Sequence, residues 1–253
     1  MSIRRGLDEE LNRMREMLFH MEELVNTSLH RAMESLKTRD ADLALAVIRD
    51  DDVVNELRYE IEQYCVNVIA TQQPVARDLR TIMAVVHVAV EMERMGDHAA
   101  GVAKITLKVC EEPLLKPLID LPRMASVATE MLHDGVRAFV NNDVDRAREI
   151  IGRDDEVDGL HDQIFRELLT YMLEDPTTIR RATHLIWASH AVERFADRAT
   201  NVAERTLFVA TGKLADLTSE ASGPRACHSP DDGSVVRLVC RPGGSCDPPG
   251  CLR

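Results

Sequence analysis

Residues 91–99 read EMERMGDHA and place two carboxylates, Glu93 and Asp97, four residues apart in an otherwise apolar run. One hundred residues later, AVERFADRA places Glu193 and Asp197 at the same spacing, with Arg194 matching Arg94. On an α-helix, positions i and i+4 lie one above the other, roughly 6 Å apart, so each pair projects from one stripe. Two like charges there cost a few tenths of a kcal/mol, and something must compensate. Arg94, Arg194 and Arg198 are one candidate, by direct pairing. Exposure to water is a second, but the flanking Val85, Val86, Val88, Ala89, Val90, Met92 and Met95 leave little room for an open face. A divalent or trivalent cation shared with an adjacent helix is the third, because carboxylates are hard oxygen ligands.

The adjacent helix carries suitable partners. RDDDVVNEL sets Asp51 and Asn55 four residues apart, and GRDDEVDGL does the same with Asp154 and Asp158, with Asp155 and Asp162 beside them. Acidic residues also collect in the first turn of helices, where the macrodipole favours them. Their recurrence opposite both Glu-Arg-x-x-Asp stretches favours two metal sites: Asp51, Asn55, Glu93 and Asp97 in one half, and Asp154, Asp158, Glu193 and Asp197 in the other. All-oxygen ligands suit several cations, magnesium and manganese among them.

The elements that must position these groups are helices. Leu7, Leu11, Met14, Leu18, Met21, Val25 and Leu29 recur at spacings of three and four, the apolar face of one long helix. It stops at KTRDAD, where Asp40 can cap the next. The second helix runs to Gln72 and breaks before Pro74; the third runs from Val75 to about Val109. The pattern then begins again. Asp40–Leu57 matches Asp143–Leu160 at an offset of 103, while Arg80, Glu93 and Asp97 match Arg180, Glu193 and Asp197 at an offset of 100. Three residues are lost around the turns at Pro74 and Pro176. Duplication of a three-helix unit explains this. The expected fold is all-α, two tandem antiparallel three-helix bundles: residues 1–110, a Pro-rich connection at 111–121, and residues 122–216.

Beyond Leu217 the composition changes, with five of the ten prolines and four of the six cysteines falling in residues 217–253. That stretch is expected to be a disordered tail, since Cys227, His228, Cys240, Cys246 and Cys251 match no common zinc spacing. Cys65 and Cys110 read as small core hydrophobes of a reducing compartment. No secretory signal and no spanning segment is read, so a cytoplasmic location is expected. A net charge of -12 argues against direct nucleic-acid binding, because neutralising phosphates needs a basic face. Nor is there a P-loop, GxGxxG or nucleophile triad. A carboxylate-bridged di-iron enzyme needs paired Glu-x-x-His motifs. Glu130 with His133 and Asp158 with His161 approach that spacing, but neither recurs in the other half, and these histidines read as core or surface residues. A metal-free helical scaffold, its acids solvated or paired to arginine, is the remaining alternative.

The doubled unit, with its Asp-rich second helix, then DLRTIM or TIRRAT, then ERMGDHAAGVA or ERFADRATNVAE, resembles the PhoU proteins over residues 7 to about 212. The resemblance implies a pair of three-helix bundles whose E/DxxxD motifs hold iron, zinc or another cation, often as a multinuclear cluster. It implies a non-enzymatic homodimer in the cytoplasm. Such a dimer meets the ATPase of the phosphate ABC transporter and a phosphate-sensing histidine kinase, approaches the membrane only through these partners, and represses phosphate-starvation genes. By position the metal residues are the eight named above. Asn55 replaces an acid, and Gly101 stands where the second half has Asn201, so the first site is expected to be poorer in ligands.

Overall fold

The computed structural model describes residues 3–212, and all the described helices belong to one compact unit. Their order is α1 (Ile3–Thr38), α2 (Ala41–Gln72), α3 (Ala76–Val109), α4 (Asp120–Asn141), α5 (Val144–Gly152), α6 (Asp154–Glu174) and α7 (Ile179–Thr211), with one 3-10 turn at Pro176–Thr178. No strand occurs among the described residues. The expected all-α fold of two antiparallel three-helix units is present: α1–α3 form one, and α4, α5 with α6, and α7 form the other. The tail and its five Cys and His residues lie outside the described residues.

Sequence dictates the ends of these helices. Asp40 accepts a hydrogen bond from the backbone N–H of Leu43 at 2.9 Å, and its repeat equivalent Asp143 accepts one from Arg146 N–H at 3.0 Å. Each caps an otherwise unsatisfied N–H group. The preceding residues, Arg39 and Asn142, both adopt a left-handed backbone, at φ 59° and 53°. The duplication therefore extends to backbone conformation. The change of offset falls where α2 ends at Gln72 and α6 at Glu174, and Pro74 and Pro176 mark the two turns.

One element departs from expectation. The middle helix of the second half is interrupted at Arg153, directly after Gly152, giving α5 and α6, whereas α2 runs unbroken. Gly152 stands where α2 has Arg49. Glycine costs a helix interior about 1 kcal/mol relative to alanine, enough to favour a break in one copy. As a result Asp154 begins a helix, and its acidic first turn is the ordinary macrodipole arrangement, while Asp51 sits well inside α2.

The apolar stripe of α1 is core, with Met14, Leu18, Met21, Val25 and Leu29 buried and Leu11 half-buried. Each such side chain contributes about 1.5–3 kcal/mol on burial. Cys65 is likewise a core residue, its thiol pushed up to about 12 by burial, and Cys110 is half-buried. The two repeats pack side by side, most extensively through α3 against α7 and also through α1 against α4. Helices α3 and α7 run antiparallel: His87 feels Arg205, Glu91 meets Arg198 and Asn201, and His98 feels Arg194 and His190. Met95 and Phe195, the equivalent residues at the centre of each carboxylate motif, are both fully buried. Packing thus fixes the inner face of each motif and turns its acids outward.

Candidate metal centres

In the first half, Asp51 on α2 stands against Glu93 and Asp97 on α3. Burial raises Asp51 from its ordinary value to about 6, and the negative charges of Asp97 and Glu93 add to the rise. Glu93 is also raised, by burial first and then by Asp97. Three cations oppose this: Lys104 lowers Asp51, and Arg58 and then Arg94 lower Glu93. Arg58 is itself held by Glu62, its Nη1 donating to Oε2 at 2.7 Å.

The second half repeats the arrangement with stronger repulsion. Burial, then Asp158, Asp197 and Glu193, raise Asp154 to about 7. Asp158 and Glu193 are raised by burial and then by Asp197. Glu204 occupies the position equivalent to Lys104, and His161 the position equivalent to Arg58. In each half the acids of the two helices feel one another, Asp51 with Glu93 and Asp97, and Asp154 with Glu193 and Asp197, while Asn55 follows Asp51 by one turn of α2. They share a face rather than a point: among the described residues no three His, Cys, Asp or Glu side chains are grouped as an ion would require. Joint ligation needs rotation of these side chains about χ1 and χ2, which surface carboxylates do readily.

Where the acids lie corrects the expectation drawn from their flanks. Asp97 and Asp158 are exposed, and the other six are only half-buried. The valines and methionines fill the inner face of α3, and the acids ring its outer edge. The arginines are divided. Arg194 reaches Asp197 at 3.4 Å, but Arg94 and Arg198 both turn to Glu91, at 3.5 and 3.3 Å. Asn201 also donates to Glu91, at 3.1 Å, so its amide ties α7 to α3 and adds no ligand to the second site. The ligand asymmetry expected from Gly101 and Asn201 is thereby withdrawn, leaving Asn55 against Asp158.

Two features fit a cation at these faces. Oε2 of Glu193 is buried and makes no hydrogen bond, and the one positive group at hand is His190, whose Nδ1 lies 3.0 Å away and pairs with it only when the imidazole is protonated. An acceptor oxygen so placed is costly unless something positive meets it. In the first half Gly96 lets Asp51 lie against α3, since a Cβ there would come within 2.9 Å of Asp51 Oδ1. Sequence reasoning set aside His161 as a core or surface residue. It is half-buried beside the second cluster, its Nδ1 3.1 Å from Ser189 Oγ, with its ring 6.0 Å from that of His190. The signal was its spacing: Asp154, Asp158 and His161 follow one another at four and three residues.

The PhoU domain model matches residues 18–106 and again residues 121–206, so each match contains one carboxylate cluster. The chain belongs to the PhoU family. A "Phosphate-specific transport system accessory protein PhoU homolog" from Aquifex aeolicus is 39% identical over 208 residues, covering 82% of this chain and 94% of that protein. A homolog of the same description from Pseudomonas aeruginosa is 33% identical, covering 83% of this chain and 87% of its own length. Among solved structures, PhoU from Pseudomonas aeruginosa superposes with a TM-score of 0.76 at 33% identity, covering 81% of this chain and 99% of that one. The "phosphate transport system regulatory protein PhoU" from Streptococcus pneumoniae gives 0.77 at 28% identity, covering 83% and 99%. The duplicated three-helix unit is thus the PhoU architecture.

Proposed function

We propose that this PhoU-family chain is a metal-binding, non-enzymatic regulator of phosphate uptake and of phosphate-starvation signalling in the cytoplasm. In this reading it works as a homodimer through the ATPase of the phosphate ABC transporter and a phosphate-sensing histidine kinase. Membership of the family supports the phosphate role, as do relatives described as accessory and regulatory proteins of phosphate transport. No described helix is long and apolar enough to cross a membrane, in keeping with contact through partners.

The observation that carries the metal part is the doubling of one electrostatic arrangement: in both halves, facing helices hold carboxylates raised well above their ordinary range by burial and by one another. Asp51, Asn55, Glu93 and Asp97 would hold a cation in the first half, and Asp154, Asp158, Glu193 and Asp197 in the second. A bound cation would supply positive charge, cancelling repulsion between α2 and α3 and between α6 and α7. The chain's own residues would then set helix spacing on the two outer faces, where a partner can read it. The reading is tested by elemental analysis of the purified chain before and after chelation, with co-purification of the transporter ATPase and the kinase as the second readout. Retained iron, zinc or another cation, lost in variants of these residues, is the expected result. A chain that holds no metal and captures both partners equally well after chelation would be the scaffold instead.

A further inference from the structure

Between the two carboxylate faces runs a strip of opposite charge. The α3–α7 contact is backed by α1 and α4 on one side, and no described helix packs across the other. On α7, Arg180, Trp187, Arg194, Arg198 and Arg205 follow at steps of seven, seven, four and seven, one stripe of a helix. His87, Glu91, Arg94, His98 and Lys108 form the stripe of α3 beside it. The two meet in antiparallel register: Arg205 by His87, Arg198 by Glu91, Arg194 by His98, and Lys108 by Trp187. Arg94, Arg194, Arg198, Arg205 and Lys108 thus line one seam, and Glu91 is the single carboxylate on its two stripes. Glu91 is shared between Arg94 and Arg198, while Lys108 lies over the Trp187 ring, 5.6 Å from its centroid, and makes no ion pair among the described residues. Nε of Arg198 and Nε of Arg205 are buried without a hydrogen-bond partner, and such donors are costly until an acceptor meets them. The positive field reaches both ends. Burial and then Arg205 hold His87 below its ordinary value, and burial and then Lys108 and Arg180 do the same to His184. Trp187, the chain's one tryptophan, is 50% exposed at the Lys108 end, and its repeat equivalent at the other end is His87.

We propose that this seam is the docking surface for a carboxylate-rich segment of a partner protein, laid along α3 and α7 with an apolar residue against Trp187. From His87 to Lys108 it runs roughly 30 Å at 1.5 Å per residue, the span of about nine extended residues. Its width selects the class of partner. Glu93 and Asp97 flank it on one side and Glu193 and Asp197 on the other, so only a ligand as narrow as a single chain meets the cations without meeting acids. A bilayer surface or a nucleic-acid duplex would lie across both acidic faces and be repelled. A single nucleic-acid strand is narrow enough, but it binds by stacking on successive aromatic side chains, and the seam has one tryptophan. Carboxylates match the guanidinium forks and supply the acceptors that the two buried Nε groups lack. With its aromatic anchor at one end only, the seam also sets the direction of the bound segment. None of this depends on whether the flanking acids hold a cation.

The test uses the full-length chain with Trp187 emission as the readout, since no other tryptophan is present. The probes are a peptide of about nine glutamates ending in leucine, an oligothymidylate of equal charge, and phosphatidylserine vesicles. Chelator is present throughout, which separates the outcome from cation binding. The peptide should change Trp187 emission saturably, and its affinity should fall as salt rises. Lys108→Glu with Arg205→Glu should weaken it about tenfold or more, whereas Arg148→Glu, an exposed charge reversal on α5, should leave it unchanged. Circular dichroism confirms that each variant is folded, and Lys108→Glu alone, at an exposed side chain, serves if the double variant is not. No saturable response to the peptide overturns the proposal. Equal weakening by Arg148→Glu, or none by the seam variants, overturns the seam as the site. Oligothymidylate or vesicles that change Trp187 emission at lower concentration than the peptide overturn the protein-segment assignment.

Discussion

Replacing Asp154 with Asn should stabilise the metal-free protein and destabilise the metal-loaded one. Asp154 moves from 3.8 to about 7 on folding, with burial and then Asp158, Asp197 and Glu193 as causes. Its folded value lies above the unfolded one, so between about pH 4 and pH 7 the native state binds more protons. Stability from this group is therefore present at low pH and lost as pH rises through the folded value. Three units at about 1.4 kcal/mol each set a ceiling near 4 kcal/mol. The group is half-buried and shares its repulsion with three others, so about 1–2 kcal/mol is the reasonable share. For a domain of this size that corresponds to a rise in melting temperature of roughly 2–8 °C. Scanning calorimetry in chelator should find Asp154→Asn more stable than the parent at pH 8, the gap closing toward pH 5. With saturating zinc or iron the order should reverse, because a ligand at about a hundred times its Kd adds about 2.7 kcal/mol to a chain that can bind it. A variant that melts lower than its parent at pH 8 without metal would refute the reasoning, since Asp154 would then be a structural acceptor rather than a repelled charge.

Gly96→Ala would put a Cβ 2.9 Å from Asp51 Oδ1, so the Asp51 carboxylate must swing away; titration calorimetry should show weaker binding at the first centre and an unchanged second. Glu91→Ala should cost about 1–3 kcal/mol in chemical denaturation, because Arg198 and Asn201 on α7 both lose their partner on α3. A chain ending near Ala215 should retain helical circular dichroism, cooperative melting and both metal-binding steps, because the two repeats are complete before that point.

Much of this architecture is legible in the residues themselves. The spacing of Met14, Leu18, Met21, Val25 and Leu29 marks a buried helix face, and Asp40 with Asp143 marks where helices begin. These signals are local and strong. The paired carboxylates are legible for the same reason, being repeated at fixed offsets. Other features depend on which neighbour wins a side chain, and spacing along one helix cannot decide that. Asn201 turns to Glu91 because α3 and α7 cross there, so a residue that resembles a ligand becomes an inter-repeat clamp. The break at Gly152 turns on about 1 kcal/mol of helix propensity, too little to separate two otherwise matching segments by pattern. The acids stand at the outer edge of α3 and α7 because each long helix packs against several others, leaving only a narrow rim open. His161 was visible as a third member of the Asp154 stripe, but its neighbour Ser189 lies one helix away.

The measurement closest to the central claim is a calorimetric titration of the demetallated chain with zinc, compared with Asp97→Ala and Asp197→Ala. Two binding steps are expected. Asp197→Ala should remove the tighter one, because the second half carries Asp158 where the first has the neutral Asn55, and because Glu204 replaces Lys104. Asp97→Ala should remove only the weaker step. Each metal-free variant should melt at or slightly above the parent. Equal loss of both steps from either substitution, or a metal-free variant that melts well below its parent, would contradict two independent cation centres built on repelled carboxylates.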